Sequence, residues 1–362
     1  MEIFVDRKIE MVYNKLPIDI RKRFLMLSSE IKDKALESGF SSCGIIPASA
    51  YYEESIKYWN ESTKTFPESK YILDWCCPQQ PPENGKSIIV CILRYNKHKI
   101  PVGLDKYMPK VYLMSDLYPK TDTWKYPAII EFETYLRDAG LNIIEFHLPN
   151  RWAAVKAGLG KFGRNNFVYD PEHGSYIWIE IWVVDAVLEY DTLSENIYLS
   201  ECSEDCRKCI EACPTKALSD KFTINRSKCI EHLALHKKTI PSEIELKQMG
   251  LWLCGCDVCQ DVCPYNKNKF IGTEEIPQLS QIEELLKLEN ILTMDEETYI
   301  NDFCPRFFVA DKNSIWKWKC NALRAMINTG EKKYHNTIKH HSEHKDVRIK
   351  EVAEWGCKIP KL

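Results

Sequence analysis

The chain has 362 residues, 44% of them apolar, which is enough to fill more than one core and rules out a disordered protein. Its 49 basic and 52 acidic side chains leave a formal net charge of −3, so no overall field marks it as a binder of nucleic acid or membrane. The opening MEIFVDRKIEMVYNKLPIDIRKRF mixes both charges into its apolar positions, unlike a signal peptide, and no twin-arginine leader is seen. No stretch reaches the roughly 20 apolar residues of a membrane helix, so a cytoplasmic protein with no membrane partner is expected.

In chain order, SIIVCILRY (Ser87 to Tyr95) is a continuous β-branched run that predicts a buried strand. PAIIEFETYLRDAG (Pro127 to Gly140) begins with proline, ends with glycine and sets Ile129, Phe132 and Leu136 on one side of a helix. LNIIEFH predicts a second strand, RWAAVKAGLG a helix, and SYIWIEIWVVD (Ser175 to Asp185) a third strand. These elements define an α/β domain over residues 1–195. Residues 196–268, rich in cysteine, charge and short helical pieces, form a separate module. Residues 269–362 read as helical: LSQIEELLKLENIL is amphipathic, and SIWKWKCNALRAMINTG and HKDVRIKEVAEWGCKI have the character of short helical pairs.

A reducing compartment turns the sixteen cysteines toward metal or redox chemistry. Cys43, Cys76, Cys77, Cys91, Cys304, Cys320 and Cys357 are scattered and are expected to pack as small hydrophobes. The other nine lie between Cys202 and Cys263. One group is Cys202-x3-Cys206-x2-Cys209-x3-Cys213-Pro214, the other Cys256-x2-Cys259-x3-Cys263-Pro264, with Cys229 between them and Cys254 just ahead of the second. A bacterial ferredoxin run ends in C-x2-C-x3-C-P, its last cysteine reaching across to the other cluster. Two runs therefore imply two [4Fe–4S] clusters, one on Cys202, Cys206, Cys209 and Cys263, the other on Cys213, Cys229, Cys256 and Cys259. The first interval, after Cys202, is one residue longer than usual, and Cys254 is left without a cluster. Paired four-cysteine zinc sites also use C-x2-C units but have no need of the repeated x3-Cys-Pro ending.

Ahead of the cysteines, KAGLGKFGRNNFVYDPEHGSYIWIEIWVVD gathers Gly158, Gly160, Gly163 and Gly174-Ser175. Such glycines let a flat or anionic ligand approach the backbone, and equally mark a helix stop and a turn. A dinucleotide site is rejected, because these glycines close a helix instead of linking a strand to one. Together with the cysteines this stretch resembles the epoxyqueuosine reductases, whose pattern is A-G-L-G-x-x-G-K-N followed by P-x-x-G-S. The likeness continues through RSKCIEHL, CGCDVCQDVCPYNK and VRIKEVAEWGCKI, the last similar to that family's HEAT-like C-terminal repeat, and ESGFSSCGIIPA is similar to its opening helix and strand.

The resemblance implies an oxidoreductase with cobalamin in a nitroreductase-like α/β domain. Gly158, Gly160, Gly163, Arg164, Asn165, Gly174 and Ser175 would bind that cofactor, and the two clusters would reduce it. It also implies a small ferredoxin- or flavodoxin-type electron donor and a tRNA whose base loses oxygen. Two positions depart from the family. Its F-x-D-S-x-P and following E-R pair, with the proton-donating aspartate, are replaced by FHLPNR; Arg151 matches the arginine and nothing matches the aspartate. Breaking a carbon–oxygen bond needs a proton source, and the candidates are His147, Tyr95 and Arg151. Arg164 stands where the family has lysine; a G-R pair is similar to the reductive dehalogenases, which use a tyrosine acid, and brings Tyr107, Tyr112 and Tyr118 into view beside Tyr95.

Three functions stay open on the sequence: an epoxyqueuosine reductase, a related reductase of a small molecule, and an electron-transfer partner that reactivates a corrinoid protein. The basic residues and histidines of KWKCNALR and EKKYHNTIKHHSEHKDVRIK suit either a phosphate-tracking stripe or a solvated helical face.

Overall fold

The structure, a computed structural model, describes residues 18–50, 52–71, 74, 82–114, 127–145, 149–200, 202–203, 205–220, 222–275, 283–307 and 309–359. The chain divides into two compact units. The first comprises Met1–Asn96, Pro127–Cys206 and Lys221–Thr223; the second comprises Lys97–Tyr126, Arg207–Asp220 and Ile224–Leu362.

The first unit is mixed α/β. Its elements are α1 (Ile18–Glu37), β1 (Ser42–Pro47), α2 (Tyr52–Thr65), β2 (Ser87–Arg94), α3 (Pro127–Asp138), β3 (Ile143–Ile144), α4 (Asn150–Lys156), β4 (Lys161–Phe162), β5 (Val168–Tyr169) and β6 (Ile177–Val184). Four strands form one antiparallel sheet in the order β1-β2-β6-β3. The sheet is covered on both faces, which is why β2 reads as an unbroken apolar run. Ile46, Ile88, Val90 and Val183 pack with Trp152, Ala153, Ala154 and Val155 of α4 on one side. On the other, Phe40, Phe132 and Trp182 meet edge to face, with Phe132 and Trp182 centroids 4.9 Å apart. The strand expected over LNIIEFH is only two residues long, and His147 lies outside the described residues.

The second unit carries α5 (Lys208–Ala212), α6 (Glu243–Gln248), α7 (Val258–Asp261), α8 (Leu288–Thr293), α9 (Ile315–Thr329), α10 (His335–His341) and α11 (Val347–Cys357). It also holds the short helix Lys110–Met114. Helix α6 starts on a capping box, with Ser242 and Glu245 each satisfying the other's backbone N–H. Helix α9 ends at Gly330, whose φ of +67° is the left-handed conformation a helix C-terminus favours. The helix expected over LSQIEELLKLENIL is regular only from Leu288, after an extended Lys287; residues 276–282 are not described. Helices α9 and α11 touch at Gly356, where a Cβ would stand 2.7 Å from Ile327 and 2.9 Å from Ile338.

Candidate cofactor and cluster site

Helix α4 runs into the glycine segment. Gly158 takes a φ of +74° with open space beside it, so its backbone is accessible. Gly160 and Gly163 are glycines for a different reason: β4 and β5 form a tight hairpin on them. A Cβ at Gly160 would lie 2.6 Å from Val168 Cγ1, and one at Gly163 would overlap the Tyr169 ring.

The polar residues that follow are buried and bonded within the unit. Asn165 donates to the Tyr169 hydroxyl at 2.9 Å, and Asn166 donates to the Tyr58 hydroxyl and the Phe222 carbonyl. Arg151 donates to the Asn166 carbonyl at 2.6 Å, so the arginine predicted as a catalytic candidate holds the hairpin turn. Arg164 donates through Nη2 to the Ser203 carbonyl at 2.7 Å, and its backbone N–H points at the Cys202 sulfur, 3.4 Å away. The residue next to the glycines thus already bonds an expected cluster ligand.

Beyond the hairpin, Asp170 accepts the backbone N–H groups of Glu172 and His173 and lies 2.7 Å from His173 Nδ1. His173 Nε2 lies 3.3 Å from the Arg94 guanidinium. In the sequence this Asp170–His173–Arg94 chain has no sign but the local PEHGS turn. Gly174 bridges back to Asp170 with a φ of +66°, and Ser175 is buried. Tyr95 is buried with its ring 6.1 Å from that of Tyr176. Of the other tyrosines, Tyr107 and Tyr112 belong to the second unit, and Tyr118 lies outside the described residues. Burial pushes the Tyr112 phenol well above its ordinary pKa.

Cys202 and Cys206 belong to the first unit and the other six expected ligands to the second. There Cys209 and Cys213 are buried with Ile210, Ala217 and Leu218, and Cys229, Cys259 and Val262 pack against the same nucleus. Burial pushes the Cys229, Cys256 and Cys259 thiols above their ordinary range. Free, they stay protonated; iron would bind them as thiolates, and binding would release those protons. Free thiols gathered in an apolar shell fit a [4Fe–4S] donor set. Among the described residues no three His, Cys, Asp or Glu side chains converge on one ion position, and a cubane, whose cysteines bind separate irons, requires none to.

Asp257, inside the second motif, is buried and accepts from Lys110, whose backbone N lies at 2.8 Å and Nζ at 3.2 Å; the same ammonium meets Asp261 at 2.8 Å. Cys254 is fully buried with its thiol 3.6 Å from the Met108 sulfur. Among the scattered cysteines Cys91, Cys304 and Cys320 are buried and Cys43 partly so. Cys357 is exposed, contrary to the expectation, because it sits in the last turn of α11; Cys76 and Cys77 lie outside the described residues.

Residues 201–266 match the model of a 4Fe-4S double cluster binding domain. An epoxyqueuosine reductase of Prochlorococcus marinus is 30% identical over 324 residues, covering 82% of this chain and 96% of that one. The chain belongs to the epoxyqueuosine reductase family. Another family member, from Cellulophaga algicola, is 29% identical over 83% of this chain and 96% of its own. A crystal structure of an epoxyqueuosine reductase with an epoxyqueuosine-modified tRNA-Tyr stem loop superposes with a TM-score of 0.69, over 91% of this chain and 89% of that one, at 21% identity. The fold is therefore that of epoxyqueuosine reductase. Membership makes the protein a cobalamin-dependent oxidoreductase with two [4Fe–4S] clusters; the small-molecule and non-catalytic readings are not favoured. Among the described residues no helix is long and apolar enough to cross a membrane.

Proposed function

We propose that this chain is itself an epoxyqueuosine reductase acting on tRNA. The observation that carries the reading is the Arg164 N–H directed at Cys202, which joins the cofactor segment to the first cysteine motif within one compact unit. Cobalamin is assigned to Gly158, Gly160, Gly163, Arg164, Asn165, Gly174 and Ser175. Gly158 is the open backbone position, and the others shape the wall through the hairpin and the Gly174 turn. The clusters are assigned to Cys202, Cys206, Cys209 and Cys263, and to Cys213, Cys229, Cys256 and Cys259. When bound, reduced cobalamin supplies the two electrons that, with two protons, convert an epoxide to an alkene and water.

The chain's own residues then have to hold the base and deliver protons. Arg151 fixes the Asn166 turn, and Tyr95 closes the end of β2 against Tyr176; both are positioned to support the site. His147, beside the place of the family aspartate, is the candidate proton donor. The division at 195 and 268, a nitroreductase-like first domain, HEAT-like pairing of the last helices and a cytoplasmic site of action complete the proposal. So does electron delivery by a small ferredoxin- or flavodoxin-type protein.

Anaerobic purification with added cobalamin tests it: about eight iron and one cobalt per chain are expected, with conversion of an epoxyqueuosine-bearing tRNA stem loop by the reduced protein. Stem-loop binding should weaken steeply as salt rises. Zinc in place of iron, or loaded protein that binds no stem loop, would overturn the reading.

A further inference from the structure

Helix α9 carries a comb of polar side chains at 317, 321, 324 and 328, a spacing that puts them on one helical face. All four donate to backbone carbonyls of the chain between Cys229 and Cys256. Lys317 bonds the carbonyl of Leu235, and Asn321 bonds that of Ala234 at 3.1 Å. Arg324 bonds the carbonyls of Gly250 and Trp252. Asn328 bonds those of Leu246 and Gly250 at 2.9 and 2.8 Å. The comb grips the stretch just after Cys229 and again just before Cys256, two cysteines assigned to the same cluster.

Arg324 differs from its neighbours in the comb. Its side chain is fully buried, and its hydrogen bonds go to the carbonyls of Gly250 and Trp252; among the described residues no carboxylate forms an ion pair with it. Burial lowers its pKa only to about 9, which leaves it charged at neutral pH. A cation without a counterion, in a poorly screened interior and tied to the loop segment that leads into Cys254 and Cys256, favours whichever state of its surroundings is more negative. A [4Fe–4S] cluster gains one negative charge when reduced, and its potential responds to nearby charge.

We propose that the buried positive charge of Arg324 raises the reduction potential of the cluster on Cys213, Cys229, Cys256 and Cys259, an inference that rests on that ligand assignment. The test is an anaerobic redox titration of the loaded full-length protein, followed by electron paramagnetic resonance, in Arg324→Gln, Arg324→Met and Asn328→Leu. Both neutral Arg324 variants should move the midpoint of one cluster downward and leave the other in place; if one variant fails to accumulate, the other reads the effect. Asn328→Leu removes two hydrogen bonds to the same segment without removing charge, and should leave both midpoints unmoved. The proposal is overturned if neutral Arg324 variants that hold a full complement of iron titrate as the parent does. It is also overturned if Asn328→Leu produces the same shift, which would place the effect in loop geometry. Parent protein without clusters would overturn the ligand assignment instead.

Discussion

At the scale of single residues, glycine is the instructive case. Gly158 and Gly163 look alike in AGLGKFG, yet one needs a left-handed backbone and the other needs the absence of a side chain. Gly163→Ala is expected to destabilise the first unit by about 1–3 kcal/mol, as overpacking does, measurable by chemical denaturation. A second expectation concerns His98, which is buried with Nδ1 lacking a partner. Burial, helped by Lys97, lowers its pKa below the ordinary 6.5. Below about 6.5 the unfolded chain therefore takes up a proton that the folded chain does not. The stability His98 contributes is complete above that pH and is lost as pH falls toward the folded value. His98→Leu should flatten the acid side of the stability profile in denaturation curves taken from neutral pH downward. The double-cluster module was legible because cluster chemistry demands fixed cysteine spacing, and residues 201–266 match such a domain. Arg324 was not, since in KWKCNALR it reads as one more basic residue, and only packing turns it and Lys317 inward, away from any phosphate-tracking stripe.

At the scale of elements, the strands over 87–94 and 177–184 and the helices over 127–138, 315–329 and 347–357 agree with the apolar patterns that predict them. The patterns were clear because each element buries a continuous face. What they omit is how a short helix is tied to a distant loop. The helix Lys110–Met114 has too few residues to be stable by itself, and its first residue is fastened to Asp257. Lys110→Met would strip that buried carboxylate of its countercharge while leaving the backbone N–H and Gln260 as donors, at a cost of up to about 3–5 kcal/mol. The expected result is a lower unfolding midpoint for the loaded protein and faster loss of iron to a chelator. Asp257→Asn in the same background should recover part of the loss, because it removes the orphaned charge.

At the scale of the whole molecule, local patterns marked the cluster module. The path of the chain was not legible: local periodicity carries no information on which distant segments share a core. Residues 97–126 and 207–220 belong with the C-terminal half, while 221–223 return to the first unit. Sequence order and spatial order are therefore interleaved, with consequences for how the molecule is made. During synthesis the first unit lacks a piece of its core until residue 223 has emerged. The earliest described segment of the second unit, residues 97–114, must wait for partners more than a hundred residues downstream, as Lys110 does for Asp257. Neither unit can close around its first-made half, and completion of each is a late event set by loop closure between remote segments.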